Sequence, residues 1–198
     1  MLGDNMKKIW IATKNAHKIE EFQTMLGTDV QVCSLLDLKQ EVEIVENGTT
    51  FEENALIKAR SLYQVLHEPV ISDDSGLEVD AMDGAPGVYS ARWMGEDTSY
   101  TIKNEAIIKA CEGKEKSARY VCVIAYIDQD GNEKTYQGTI EGLIHDQPMG
   151  TNGFGYDPIF YYPPFQTTLA DVSEQQKNSV SHRGNALHAF LEDWRKTK

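Results

Sequence analysis

The chain has 198 residues and a formal net charge of −12, with 40% hydrophobic and 25% charged residues. That balance supports a globular core, in one domain or two tightly joined lobes, and excludes an intrinsically disordered chain. The acidic excess repels polyanions and argues against a nucleic-acid-binding module, although a small polyanion still binds such a protein through a local cationic pocket or a metal. Three cysteines, Cys33, Cys111 and Cys122, stand far apart without CxxC spacing. A disulfide framework or zinc site is therefore not expected, and a reducing cytoplasm fits. No signal-peptide pattern is expected at the N-terminus, and no apolar run approaches the ~18 residues of a membrane span.

In chain order, residues 8–13 form an apolar run that predicts a strand. The spacing of Ile19, Phe22, Met25 and Leu26 predicts a helix over 16–26. Between them lies a polar turn, Thr13, Lys14, Asn15, Ala16, His17 and Lys18. A strand-to-helix turn offers free backbone N–H groups and the positive end of a helix dipole, and Lys14 and Lys18 add cations, all of which favour a phosphate. The same turn also reads as an ordinary polar connection. No Walker A pattern occurs anywhere in the sequence, so this is not a P-loop protein.

Thr50 and Glu53 have capping-box spacing and open a helix predicted to reach about His67, with Leu56, Ala59, Leu62, Tyr63 and Leu66 along its apolar stripe. Val70, Ile71 and Ser72 predict a short buried strand ending at Asp73 and Asp74. Adjacent carboxylates at a strand end are costly unless a cation balances them. Magnesium typically takes one or two carboxylates plus substrate phosphates, and Glu46 is a candidate second ligand. A helix cap or surface turn is the alternative reading of the Asp pair. Glu52 and Glu53 are accounted for by the helix dipole alone.

Residues 81–97, rich in glycine, predict a structured loop, and 98–111 a helix. The runs 119–128 and 134–144, joined by Gln129-Asp130-Gly131-Asn132, predict a hairpin. A second glycine loop covers 150–157. In it Phe154 and Tyr156 offer flat faces for a base, Gly155 permits close approach, and Asp157 offers acceptors for ring N–H groups; sheet-edge packing is the alternative. A short strand is expected at 159–162, a short helix capped by Ser173 and Gln176, and a last helix over 186–194. Lys177, His182 and Arg183 precede that helix, and Arg183 suits a phosphate or a base carbonyl. The element order predicts a mixed α/β protein whose sheet is not purely parallel.

Taken as an ordered set, these segments resemble the Ham1-like inosine/xanthosine triphosphate pyrophosphatase family. The resemblance rests on Thr13-Lys14-Asn15 with Lys18, Glu46-Asn47-Gly48 with Phe51 and Asn54, and Ser72-Asp73-Asp74-Ser75-Gly76-Leu77. It continues through Gly84-Ala85-Pro86-Gly87 with Ser90-Ala91-Arg92, Phe154-Gly155-Tyr156-Asp157-Pro158, and Lys177 with Ser181-His182-Arg183-Gly184. It implies an elongated two-lobed α/β fold over a mixed sheet, with the active site in the cleft between the lobes. It also implies a homodimer and magnesium-dependent hydrolysis of ITP, dITP or XTP to the monophosphate and pyrophosphate. By resemblance, Thr13 to Lys18 line the triphosphate site and Asp74 is the general base or activates water at the metal. Glu46 is the companion metal ligand and Ser75 touches substrate. Phe154 to Asp157, Lys177, His182 and Arg183 form the base pocket. The whole chain, 1–198, reads as one such domain with residues 1–6 as a flexible extension. A purine-nucleotide-binding regulatory protein without turnover is the competing reading.

Overall fold

Ile9, Trp10 and Ile11 are buried, and their run forms β1 (Lys7–Ile11) in the computed structural model, which describes residues 7–196. The expected extension at residues 1–6 lies outside the described residues. α1 (Ala16–Leu26) follows and buries Phe22 and Leu26. It leads into β2 (Val30–Ser34), a strand that the sequence pattern did not announce. Gln23 shows what fixes this connection: its side chain donates to Gly27 O and Val30 O and accepts from Val32 N.

α2 (Phe51–Leu66) starts at the expected capping box, Thr50 Oγ1 accepting from Glu53 N and Glu53 Oε2 from Thr50 N. β3 (Val70–Val79) then departs from expectation. The predicted strand stops at Ser72, whereas the observed one continues through Asp73, Asp74, Ser75 and Gly76 to Val79. The physical reason is that the polar side chains find partners inside the fold. Ser72 Oγ donates to Ala55 O at 2.6 Å, and Asp73 accepts from Lys18. A buried polar side chain tolerates a strand when its hydrogen bonds are met.

Residues 81–97 form a structured loop, as expected, built on short helical turns, and Ser90 Oγ ties it back to Leu77 N at 2.9 Å. α3 (Tyr100–Ala110), β4 (Ser117–Ile127) and β5 (Glu133–Ile144) follow as predicted, with the hairpin turn closed by Asp128 N to Asn132 O at 3.0 Å. The remaining elements are β6 (Phe160–Tyr162), β7 (Thr167–Thr168), α4 (Glu174–Asn178) and α5 (His182–Lys196). α5 begins four residues before its predicted start, because Ser181 Oγ accepts from Gly184 N and Ser181 O from Asn185 N. His182 and Arg183 therefore belong to its first turn.

The strands form one mixed seven-stranded sheet in the order β2-β1-β3-β4-β5-β6-β7. β1 is parallel to β2 and β3, and β6 is antiparallel to β5 and β7. The chain divides into two compact units: residues 1–74, 123–137 and 186–198, and residues 75–122 with 138–185. In the first, Ile11, Phe22, Ala59, Leu62, Ile71 and Phe190 are buried. In the second, Leu77, Val79, Ile107, Tyr120, Ile140 and Phe160 belong to one apolar cluster. Among the described residues, no helix is long and apolar enough to cross a membrane.

Candidate active site

In the first unit the polar turn after β1 is a tightly made helix cap. Asn15 Oδ1 accepts from His17 N at 3.0 Å and Lys18 N at 3.3 Å, and Thr13 Oγ1 accepts from Asn15 N at 3.1 Å. This corrects the expectation of free backbone N–H groups, since the Asn15 side chain already caps two of them. Lys14, Asn15, Ala16 and His17 are exposed and Thr13 is half-buried. Lys14 approaches Glu41 at 3.8 Å with its side chain largely in solvent, so its charge is the more available of the two. Lys18 instead reaches Asp73, 2.9 Å from Oδ2.

β3 carries Asp74 beside that pair, and α2 delivers a residue the sequence reading missed. Lys58 Nζ donates to Asp74 Oδ1 at 3.1 Å and to Glu46 Oε2 at 2.9 Å, linking the two predicted acids through one ammonium. Lys58 lies one turn after Asn54 and one turn before Leu62, both buried. A lysine inside an apolar helical stripe is the signal that would have found it.

Glu46 comes from the irregular segment before α2. Its position is set by Gly48, whose N–H donates to Asn54 Oδ1 at 2.8 Å, and where a β-carbon would lie 2.7 Å from that same oxygen. Burial pushes the Asp74 carboxyl above its ordinary range, against the pull of Lys58, with Glu46 and Asp73 adding to the rise. Burial alone would lower Lys58, but Asp74, Asp73 and Glu46 more than offset it and hold it raised.

Asp73 is neutralised by Lys18, while the single charge of Lys58 faces two carboxylates. Asp74 Oδ2 is buried and has no partner among the described residues. A negative excess with an unpartnered carboxylate oxygen suits a hard cation. Among the described residues no group of three or more His, Cys, Asp or Glu is placed to hold a metal. A two-carboxylate magnesium site completed by substrate oxygens does not require one.

Ser75, half-buried, opens the second unit's share of β3. In that unit Phe154 stands 71% exposed, with Lys177 Nζ 4.6 Å from its ring centroid. Tyr156 corrects the expected pair of stacking faces. Its ring is buried edge-on against Tyr100, and its hydroxyl donates to Ser90 O at 2.6 Å. Asp157 is likewise buried, and its oxygens already accept from Tyr120 Oη at 3.2 Å, Phe154 N at 3.0 Å and Lys177 Nζ at 2.5 Å. It organises the loop, in place of the expected role as an acceptor for a ring. Gly155 O receives Asn104 Nδ2 at 3.2 Å, which pins the loop to α3. His182 stacks on Tyr120 at 4.9 Å and 13°, and Arg183 is half-buried beside it in the first turn of α5. Tyr120, Asn104 and Lys58 are the site neighbours that sequence reasoning did not name.

The chain is similar to curated and solved proteins over nearly its whole length. It is 45% identical over 192 residues to a dITP/XTP pyrophosphatase of Listeria monocytogenes, covering 95% of each chain. It is 47% identical over 188 residues to one from Bacillus licheniformis, covering 92% of this chain and 95% of that one. A solved Ham1 protein of Staphylococcus aureus matches with a TM-score of 0.92 at 40% identity, covering 97% of this chain and all, 100%, of that one. A HAM1 protein of Coxiella burnetii matches at 0.91 and 36%, covering 96% and 100%. The family description of Ham1 fits residues 9–193, from β1 into the last turns of α5. The fold, the ordered motifs and these matches all run through the same residues, and the chain belongs to the Ham1 family.

Proposed function

We propose that this protein hydrolyses non-standard purine nucleoside triphosphates (ITP, dITP and XTP) to the monophosphate and pyrophosphate, with magnesium. The observation that carries the reading is Asp74, a half-buried carboxylate with one oxygen on Lys58 and the other, itself inaccessible, unpartnered among the described residues. An unpartnered oxygen whose proton affinity is raised by burial is equipped to orient water and take its proton.

Glu46 and Asp74 would hold the magnesium, which supplies charge neutralisation at the phosphate oxygens. Lys14, Lys18 and Lys58 add positive charge toward the triphosphate, and the Thr13–Lys18 turn and Ser75 contact it. Water oriented by Asp74 attacks the α-phosphorus, the bond to the bridging oxygen breaks, and pyrophosphate leaves.

Base selection falls to the exposed face of Phe154 and to donors on Lys177, His182 and Arg183. Inosine and xanthosine carry a 6-keto oxygen where adenosine carries an amino group. A fixed donor aimed at that oxygen is left unpaired when adenine binds, a mismatch able to discriminate by ~10⁴. Guanine shares the keto oxygen, so its 2-amino group must be rejected by fit. A homodimer working in the cytoplasm completes the proposal.

The test is a panel of ITP, dITP, XTP, GTP and ATP assayed for product identity, with magnesium and with excess chelator. Pyrophosphate and monophosphate from the first three, only with magnesium, is the expected result. Orthophosphate as first product, or full activity in chelator, overturns the mechanism. Tight binding without any turnover favours a regulatory nucleotide-binding protein instead.

A further inference from the structure

We infer that Tyr120 is a positioning residue for base recognition, holding the 150–157 loop and the start of α5 in one fixed arrangement through its hydroxyl and its ring. The inference rests on the base-recognition roles proposed above for Lys177 and His182.

Tyr120 lies within β4 and is 8% exposed. Its hydroxyl donates to Asp157 Oδ1 at 3.2 Å. Asp157 Oδ2 in turn accepts from Phe154 N and Lys177 Nζ, so the carboxylate is gripped on both oxygens and its rotation is fixed. That fixes where the Lys177 ammonium sits, over the Phe154 ring. The other end of the relationship is the ring face. Tyr120 stacks on His182 nearly parallel, 4.9 Å between centroids, and is braced behind by Phe160 at 4.6 Å. One side chain thus sets the plane of His182 and the position of Lys177, which come from segments separated in sequence.

A core aromatic chosen only for packing needs no hydroxyl, and phenylalanine would fill the same volume. A buried phenol must find a partner, and here the partner is the carboxylate that organises the loop. Burial and the neighbouring Asp157 push the Tyr120 phenol well above its ordinary value, so it stays protonated and remains a donor at every working pH. Specific hydrogen-bond selection requires donors held within a few tenths of an ångström, and such precision comes from the residues behind them.

The experiment compares the wild type with Tyr120→Phe and Tyr120→Leu, measuring kcat and KM for ITP and for ATP together with the thermal midpoint. Tyr120→Phe keeps the stack and loses the grip on Asp157. Its ITP-over-ATP ratio of kcat/KM is expected to fall roughly ten-fold, through KM for ITP, with kcat nearly unchanged. Tyr120→Leu loses both and is expected to fall further. If Tyr120→Leu does not fold, Tyr120→Phe decides alone. A discriminating wild type whose ratio is unchanged in Tyr120→Phe, or equal losses on both substrates, overturns the inference and leaves the proposed function standing. A wild type that does not discriminate ITP from ATP overturns both.

Discussion

Lys58 and Asp74 form a part-buried ion pair, Nζ to Oδ1 at 3.1 Å, in which the second Asp74 oxygen is unpartnered among the described residues. Removing one member of such a pair leaves an uncompensated charge. Lys58→Ala is expected to cost about 3 kcal/mol of stability. With its ammonium gone, Glu46 and Asp74 have more to gain from a cation. Millimolar magnesium should therefore raise the thermal midpoint of Lys58→Ala more than that of the wild type. Midpoints insensitive to magnesium in both proteins would count against the two carboxylates as cation ligands.

Asp74→Asn removes the proposed base while keeping nearly the same shape. Turnover is expected to fall at least a thousand-fold with the circular dichroism spectrum unchanged. An amide takes no proton at neutral pH and is a poor magnesium ligand. Asp73→Asn should be milder, because Asp73 is occupied by Lys18. A kcat for Asp74→Asn near the wild-type value would remove Asp74 from the centre of the mechanism.

Gly153 has a φ of +68°, and a β-carbon there would land on Asp157 Oδ2. Gly113 has a similar φ of +69° with nothing within 4 Å of its would-be β-carbon. Alanine at either position carries comparable backbone strain, of order 1 kcal/mol, but only Gly153→Ala displaces the carboxylate that holds Lys177. Gly153→Ala should therefore raise KM for ITP about ten-fold while Gly113→Ala leaves it unchanged. Equal KM values in the two variants would mean that the Asp157 arrangement does not matter to binding.

Glu68 accepts from Trp10 Nε1 at 2.9 Å and pairs with Lys8 at 3.0 Å. The Trp10 hydrogen bond, foremost, and Lys8 hold its carboxyl below the usual 4.5, against a partial desolvation. A depressed folded-state value means stability that is present above 4.5 and lost as pH falls through the folded value. The side chain is partly exposed, so solvent screening limits the contribution to about 0.5 kcal/mol. Glu68→Gln should lower the thermal midpoint by roughly 1–2 °C at neutral pH, and the gap should close in acid. A gap that widens on acidification would reverse the assigned sign.

The periodic parts of this fold were legible because apolar spacing reports burial directly: α1, α2, α3 and the β4–β5 hairpin follow their patterns closely. β3 was cut short because Asp73, Asp74 and Ser75 look like solvent-facing residues. Asp73 pairs with Lys18 and Asp74 with Lys58, which reach them from other elements, and no local pattern encodes that. Lys58 is legible only through its place on the buried stripe between Asn54 and Leu62, since by residue type alone a lysine reads as solvated. In the 150–157 loop, Phe154 and Tyr156 are indistinguishable in sequence. One is exposed and the other is spent on Ser90 and Tyr100. Neighbouring loop residues gave no sign of which would face outward.

β3, β4 and β5 each change unit partway along, after Asp74, Cys122 and Gln137, and the chain crosses once more after Asn185. Neither unit is thus a single stretch of gene. Recombination at one breakpoint cannot transplant the second unit alone, because its coding sequence comes in two pieces interleaved with that of the first. A designed chimera that swaps the second unit would have to exchange 75–122 and 138–185 together, with three junctions falling inside β3, β4 and β5.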